Sequence, residues 1–275
     1  MSSPRSTHEP PLQSVAMPEQ RWSRAALVVA RQDGLRLPEI VALGPDLPSI
    51  DELFTFMRDA ELRFRTLRMR VEERLWATRG QQVVVSEVAI RHPGMARIAT
   101  FEAGAGTKGN HELWLSDGET VRTYAGRDRR GTERPIRNRP RGLADRDFPG
   151  SSKVYEPITP LPSETLPELF VHPAGYCQNV LASGRPWVSG TDVVAGREAI
   201  VVTCDHPRSV EWEADRADYR VEVAVDRVEG LMTRLVESVG GEATRIATVV
   251  ALDVDPTLAP DTFDFEFPPG TTILY

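Results

Sequence analysis

Alternation of apolar and polar residues at every second position is the feature that most restricts how this chain can fold. In the segment "YRVEVAV" at 219–225, Tyr219, Val221, Val223 and Val225 are spaced two residues apart. Successive side chains of a strand point to opposite faces of a sheet, so these four side chains share one face. The pattern predicts a β-strand with one buried face, and the "DRVEG" that follows predicts a turn.

Similar strand-like runs recur along the chain and are separated by Gly, Asp, Asn or Pro. They are "TLRMRVEERLW", "QQVVVSEVAI", "ARIATFEAG", "HELWLSDGETVRTYAG", "DVVAGREAIVVTC" and "EATRIATVVALDVD". The "SDGE" in the fourth run is a hairpin signal, because Asp-Gly tolerates the positive φ angles of a tight turn. Helices do not alternate with these strands, which argues against a parallel α/β fold. The sequence therefore predicts a mainly β (α+β) fold built on one curved antiparallel sheet.

One helix is predicted near the beginning of this pattern, in "SIDELFTFMRDAELRFR". Ser49 and Glu52 have the spacing of a capping box, in which each side chain binds a backbone amide at the start of the helix. The apolar residues from Ile50 to Phe64 then fall on one helical stripe. We expect this helix to pack its apolar stripe on the sheet.

The C-terminal "DTFDFEFPPGTTILY" repeats the alternation with aromatic residues. Phe263, Phe265 and Phe267 alternate with acidic residues, so the three rings are expected on one side of a strand. The prolines at 268 and 269 cannot donate to a strand ladder and would end that strand. We predict a last strand whose rings lie on the packed inner face of the sheet.

Composition narrows the class of protein. A net charge of -7 argues against a nucleic-acid-binding protein, and no stretch approaches the roughly 18 apolar residues of a membrane-spanning helix. The longest apolar run near the N-terminus, 25–30, is too short for a signal peptide, so a cytoplasmic location is expected. Residues 1–21 are expected to be a disordered tail, followed by a single domain at 22–275. Cys177 and Cys204 are then expected to be free thiols.

Motifs for catalysis and cofactor binding are missing from the sequence. It contains no P-loop, no dinucleotide-binding glycine motif and no G-x-S-x-G. The glycine-rich "FEAGAGTKGN" has the wrong spacing for a phosphate loop and is interpreted as a hairpin loop. A zinc site of two cysteines and two histidines is an alternative at Cys177, Cys204, His172 and His206, but H-x4-C with C-x-H is not a usual ligand spacing. We expect no enzyme activity, no cofactor and no metal.

An irregular Arg- and Pro-rich insertion is predicted at about 126–165. Arginine side chains bind phosphates and carboxylates with two parallel hydrogen bonds, so this segment is a candidate surface for a protein partner or an anionic surface. The alternative is a solvated loop. The candidate residues are Arg127, Arg129, Arg130, Arg134, Arg137, Arg139 and Arg141.

Three regions resemble the lipoprotein carrier superfamily, which includes LolA-like carriers, RseB-like sigma regulators and mycobacterial LppX-like lipid-binding lipoproteins. They are the early "IDELFTFMRDAELRFRTLRMRVEE", which is similar to the family's first helix and following strand, the hairpin "LWLSDGETVRTY" and the C-terminal part of the chain. The matching C-terminal positions are Ala195-Gly196-Arg197, Asp226 with Gly230, and Asp253 through Phe263, Phe265, Pro268 and Gly270. The w.DG..v..Y hairpin of the family is matched by Trp114, Asp117, Gly118, Val121 and Tyr124. The resemblance covers roughly residues 49–272 and matches poorly at 126–170.

This resemblance implies a half-open, barrel-like antiparallel sheet whose concave face is covered by helices. It also implies an apolar cavity for a lipid or acyl chain, with the helix at 49–64 and the segment around 166–170 as its lid. The candidate wall residues are Phe54, Met57, Trp114, Leu166, Phe170 and Tyr176. The implied function is that of a carrier or sensor of a hydrophobic ligand. The alternative is a regulatory or scaffold protein that binds a partner through the Arg-rich loop or a sheet edge.

Overall fold

One sheet of twelve strands organises the part of the chain that the computed structural model describes, residues 42–77, 80–104, 111–136, 157–163, 165–207 and 217–274. In space the strand order is β12-β6-β5-β4-β3-β2-β1-β11-β10-β9-β8-β7. All neighbouring strands are antiparallel except β12 and β6. The strands are β1 (Thr66–Ala77), β2 (Gly80–Arg91), β3 (Met95–Glu102), β4 (His111–Asp117), β5 (Thr120–Ala125), β6 (Arg130–Pro135), β7 (Arg185–Val194), β8 (Arg197–Asp205), β9 (Tyr219–Asp226), β10 (Met232–Val239), β11 (Glu242–Val254) and β12 (Thr272–Leu274).

The sheet is curved and does not close, because β12 and β7 are its outermost strands. The pairing register shifts at four places: in β1 after Arg70, twice in β10, and in β7 after Val188. Each irregularity of this kind bends a strand and increases its local twist. The predicted fold class, a curved half-open antiparallel sheet with helices on its concave face, is confirmed.

Short helices cover the concave face. They are α1 (Ile50–Arg58), α2 (Leu166–Val171) and α3 (Pro173–Asn179), with 3-10 turns at Ala60–Arg63 and Leu181–Ser183. Both hydrogen bonds of the predicted capping box are present between Ser49 and Glu52. The α-helix is shorter than the predicted stripe, because the chain tightens into the 3-10 turn before Phe64. Helix α2 begins after Thr165, whose hydroxyl accepts the Glu168 amide.

The main core lies between these helices and the inward side chains of the strands. Leu53, Phe56 and Met57 of α1 are fully buried there. The predicted inward stripe of β9 joins them, since Tyr219 and the three alternate valines that follow are all buried. Alternation in the sequence therefore correctly identified the buried face of this strand.

A buried ion pair fastens the turn between β9 and β10. The side chain of Asp226 is about 1% exposed; it pairs with Arg197 and accepts the backbone N–H groups of Val228 and Glu229. Gly230 ends the turn at φ 73°, and a Cβ there would lie 3.1 Å from the Phe56 ring. Gly196-Arg197 and Asp226 with Gly230 are positions at which the sequence resembles the lipoprotein carrier superfamily. In the fold they bring together the start of β8, the β9–β10 turn and helix α1.

The proline-rich segment 157–163, here called the strap, is attached to the fold by side chains. The Ile158 amide donates to Glu61 at 2.8 Å. The Thr159 hydroxyl lies 2.7 Å from His92 Nδ1 and accepts the Gly94 amide at 2.8 Å. Ile158 and Thr159 are buried. The strap is therefore held against the start of β1 and the β2–β3 turn, and it leads directly into α2.

The C-terminal aromatic segment differs from the prediction. Pro260–Phe263 is a 3-10 turn and residues 264–268 belong to no strand, so the predicted strand through the three phenylalanines is wrong; the last strand is the short β12. Phe265 and Phe267 pack against a second cluster, Ala99, Leu113, Leu115 and Tyr124. Those strand residues alternate with the inward-facing Ile98 and Trp114, so the rings cover the outer face of the sheet. The predicted inner-face position is also wrong, because alternation places the rings on one side without saying which.

The predicted irregular insertion is partly a strand. Residues 130–135 form β6, which pairs with β5 and, in parallel, with β12 near the C-terminus. Residues 137–156 of this region, the predicted tail at 1–21 and most of the glycine-rich loop lie outside the described residues.

Substituting Gly131 should destabilise the C-terminal segment. A Cβ on Gly131 would overlap the ring of Phe267, which lies directly over this glycine on the outer face. We expect Gly131→Ala to lower the free energy of unfolding by about 1–3 kcal/mol, the usual cost of overpacking. Chemical denaturation would measure it. In a double-mutant cycle, Gly131→Ala should lower the free energy of unfolding by much less when Phe267 is already alanine. An unchanged effect in that background would contradict the contact between Gly131 and Phe267.

Substituting Asp226 should be far more damaging than breaking an exposed pair. Asp226→Ala removes the acceptor of two backbone amides and leaves Arg197 without its closest carboxylate. We expect a loss of about 3 kcal/mol in the free energy of unfolding. Asp205→Ala is the matched control, because its partner Arg220 is 55% exposed and such pairs contribute less than about 1 kcal/mol. Equal losses for the two variants would contradict the assigned role of Asp226.

Candidate functional site

A cavity of about 560 Å³ lies on the concave face, between strands β2–β6 and the chain from the strap to the first turn of α2. Volumes of this size are typical of small-molecule sites. Its apolar wall includes Val84, Ile98, Trp114, Pro162, Leu166 and Pro167. The strand register explains the grouping, since Ile98, Trp114, Thr123 and Thr132 are paired in succession across β3–β6.

Hydroxyl groups form much of the cavity floor. Ser86 Oγ and Thr100 Oγ1 lie 3.2 Å apart across β2 and β3, and Thr123 Oγ1 and Thr132 Oγ1 lie 2.7 Å apart across β5 and β6. All four residues line the cavity. Each pair can satisfy one hydrogen bond internally and still offer lone pairs to a ligand. The cavity is therefore amphipathic rather than uniformly apolar.

A charged cluster closes the cavity on the β1–β11 side. Arg245 Nε donates to Glu73 Oε1 at 2.7 Å, and Arg245 Nη1 lies 3.5 Å from Glu237 Oε1. Burial alone would lower the pKa of Arg245, but the two carboxylates outweigh it and raise that pKa. Glu112, on the floor at β4, is exposed and has no ion pair among the described residues.

The predicted wall residues fall into two groups. Trp114 and Leu166 line the cavity, as a lipid-binding interpretation requires. Met57 and Phe170 are fully buried in the main core, and Phe54 packs half-buried against it.

Tyr176 also packs against the main core, and its buried hydroxyl has no hydrogen-bond partner within the described part of the chain. Burial raises the pKa of Tyr176 well above its usual value of 10. The structure thus brings together two of the six predicted residues at the cavity.

The sequence analysis did not predict the hydroxyl floor or Ile98. A signal for them was available, because Ile98 and Thr100 alternate in phase along β3, and Trp114 occupies the facing register. The phase of the alternation identifies inward positions even where the inward residue is polar.

Four of the predicted arginines lie on the β5–β6 hairpin. Arg127, Arg129, Arg130 and Arg134 are exposed and make no ion pair among the described residues, and Arg130 lines the cavity. The other three candidates, at 137, 139 and 141, lie outside the described residues.

The two cysteines are separate buried thiols. Cys177 Sγ lies 3.6 Å from Met57 Sδ, and Cys204 Sγ lies 3.4 Å from the Leu181 carbonyl oxygen. Among the described residues no group of three or more His, Cys, Asp or Glu side chains is arranged to hold a metal ion.

Comparisons with solved structures show similarity in fold at low sequence identity. MucB matches at 14% identity, over 79% of this chain and 62% of MucB, with a TM-score of 0.46. A LolA superfamily protein from Nitrosomonas europaea matches at 7% identity, over 79% of this chain and 98% of that one, with a TM-score of 0.31. LprF from Mycobacterium bovis matches at 10% identity, over 77% and 95%, with a TM-score of 0.35.

These names are those of the groups that the sequence resembles. The chain spans about 60% of the length of the MucB structures, one of which is the Pseudomonas aeruginosa MucA/MucB complex. No protein-family model and no curated protein matches the sequence. In the described ranges, every helix is too short or too polar to cross a bilayer.

The thiol of Cys177 should make stability depend on alkaline pH. Burial raises its pKa to about 12, whereas an unfolded thiol ionises near 8.5. Its contribution is fully present below pH ~8.5 and is lost as the pH rises toward the folded pKa, because only the unfolded state then releases the proton. From pH 7.5 to 9.5 we expect the free energy of unfolding to fall by about 1.4 kcal/mol more in the parent protein than in Cys177→Ser.

Denaturant unfolding at the two pH values measures this difference between the parent protein and the variant. Thiol-reactive dyes provide an independent check, since the thiolate is the reactive form. Native protein should be labelled at Cys177 only as fast as it unfolds. Rapid labelling of the native state at pH 8 would contradict the assigned burial.

Proposed function

We propose that this protein is a non-enzymatic binding protein that holds a lipid-like ligand in the concave cavity, as a carrier or sensor. The observation that carries the proposal is the cavity itself, about 560 Å³ lined by Ile98, Trp114 and Leu166. Burial of an acyl chain against such side chains stabilises a complex by about 0.8 kcal/mol per methylene group.

The cover of the cavity supports a site that ligands can enter. Helices α1 and α3 pack against each other over the main core, whereas the cavity is covered by Pro162, Leu166 and Pro167 from the strap and the first turn of α2. The lid is therefore the strap with α2, and α1 belongs to the core. A small movement of the strap and α2 would admit the acyl chain of a ligand into the cavity without exposing the main core.

The polar floor narrows the class of ligand. A ligand that is apolar throughout would bury the hydroxyl groups of Thr123 and Thr132 without giving them a new partner, which is unfavourable. A molecule with both an apolar chain and hydrogen-bonding groups satisfies both surfaces of the cavity. We therefore propose an amphipathic ligand and include Ser86, Thr100, Thr123 and Thr132 in the site beside Trp114 and Leu166.

A second candidate function is partner binding along β7, which is the outermost strand on its side of the sheet. Trp187 and Val193 on this strand are 40% and 66% exposed. An edge strand with exposed apolar side chains can pair with an added strand from another chain. Stoichiometric co-purification of a second chain that Trp187→Ala abolishes would support this function.

The cytoplasmic location stays a prediction. Cell fractionation of the native host would test it, and recovery of the protein outside the cytoplasm would contradict it.

The test of the main proposal compares two Trp→Ala variants. Native mass spectrometry of protein from its own host should show a bound mass of lipid size. Trp114→Ala should weaken binding of a neutral apolar fluorescent probe about tenfold, because it removes a large apolar surface from the cavity wall. Trp187→Ala is the matched control and should leave probe binding unchanged, since Trp187 lies on β7 and does not line the cavity.

Two results would contradict the proposal. One is protein that is repeatedly empty and binds no apolar probe. The other is probe binding that Trp114→Ala leaves intact while Trp187→Ala weakens it, which would place binding at the sheet edge.

A further inference from the structure

The cavity has an arginine-bearing rim on strand β6. Side chains alternate along this strand: Gly131 faces the outer cluster beneath Phe267, whereas Thr132 lines the cavity. By the same alternation, Arg130 and Arg134 point to the cavity side with Thr132 between them. Arg130 is itself part of the lining. We call Arg130, Thr132 and Arg134 the β6 rim.

The two rim arginines are available to a ligand. They are exposed and make no ion pair among the described residues. Arg122 on the neighbouring strand shows the contrast, because it faces outward and is neutralised by Asp117 at 2.9 Å and Glu133 at 3.4 Å. Glu133 of β6 therefore pairs on the outer face, and the inward charges of this strand are Arg130 and Arg134.

Glu112 lies between the two sides of the cavity, because its row on the sheet continues through Ala125 of β5 to Arg130 of β6. On the opposite side, Glu73 and Glu237 lie next to the guanidinium of Arg245. An anionic group would be repelled there and attracted to the β6 rim. The charges are thus distributed along the cavity in a way that would orient a charged amphiphile.

We infer that the ligand is an anionic amphiphile whose headgroup lies at the β6 rim and whose apolar chain runs over Trp114 and Ile98 beneath Leu166. This inference rests on the proposed function and adds the ligand's charge and direction. A headgroup over Thr132 would be flanked by guanidinium groups on both sides, and guanidinium binds carboxylate or phosphate through paired charge-assisted hydrogen bonds. Arg127 and Arg129, on the adjoining turn, add positive charge outside the cavity.

Ligands of matched chain length test the inference. Palmitic acid, palmitoyl lysophosphatidic acid and monopalmitoyl glycerol have the same acyl chain and differ in headgroup charge. We expect at least one anionic ligand to bind about tenfold tighter than the neutral glycerol ester, by displacement of a neutral fluorescent probe. The advantage should shrink when the salt concentration is raised from 0.05 to 0.5 M, because the rim is solvent-exposed. Tighter binding of palmitic acid would indicate a carboxylate headgroup, and tighter binding of palmitoyl lysophosphatidic acid would indicate a phosphate headgroup.

Variants assign the headgroup position. Arg130→Gln with Arg134→Gln should remove most of the anionic preference, measured as the ratio of the anionic to the neutral affinity, at about threefold to fivefold for each exposed arginine. Arg74→Gln is the control, because Arg74 is exposed on the outer face of β1 and should not alter the preference. Replacing both rim arginines with lysine keeps the charge and should retain most of the preference.

The possible failures are distinguishable. Equal binding of neutral and anionic ligands would overturn the inference and leave the proposed function standing. An anionic preference that survives in the double glutamine variant would overturn the β6 rim as the headgroup site. Absence of binding by all three ligands and by the probe would overturn the inference together with the proposed function.

Discussion

The carboxylate of Glu61 is the group on which the covered side of the sheet depends. It is fully buried and faces two separate parts of the chain: Oε2 accepts the Ile158 amide at 2.8 Å, and Oε1 lies 3.4 Å from Nε2 of the buried His172. A carboxylate is costly to bury unless its oxygens are paired. One side chain therefore joins the 3-10 turn after α1, the strap and the junction of α2 with α3. These are the segments that cover the concave face, so this contact sets where the cover lies.

The same arrangement explains why the cavity lies under β2–β6. Helix α2 contacts β10, and α1 contacts β7 and α3, so the helices fill the concave face mainly on the side of β7–β10. The strap then crosses toward the β2–β3 turn, where Thr159 is held by His92 and Gly94. Among the residues that the structure describes, the strap and the start of α2 are what lies above the concave face over β2–β6. One continuous sheet thus has a filled half and a half with space for a ligand.

Much of the fold could be predicted from the sequence because the signals were local. Alternation in β1 and β9, the Asp117-Gly118 turn and the Ser49–Glu52 box each depend on residues within a few positions of one another. The contacts that make the site are not local. Glu61 and Ile158 are 97 residues apart, and nothing near either residue indicates the other. The face covered by Phe265 and Phe267 was likewise undetermined, because a period of two separates two faces without identifying the inner one.

Strand β6 shows how one alternating segment serves two surfaces with different requirements. Its outer positions are limited by packing, since Gly131 leaves room for Phe267 and Glu133 pairs with Arg122. Its inner positions meet no such limit: Arg130 and Thr132 line the cavity, and Arg134 lies on the same face of the strand. The arginine-rich composition that suggested a disordered or solvated loop is, over these six residues, a strand whose outward Glu133 pairs with Arg122 and whose inward arginines make no ion pair among the described residues. This separation by face makes the rim positive on the cavity side only, which a count of charges along the sequence does not show.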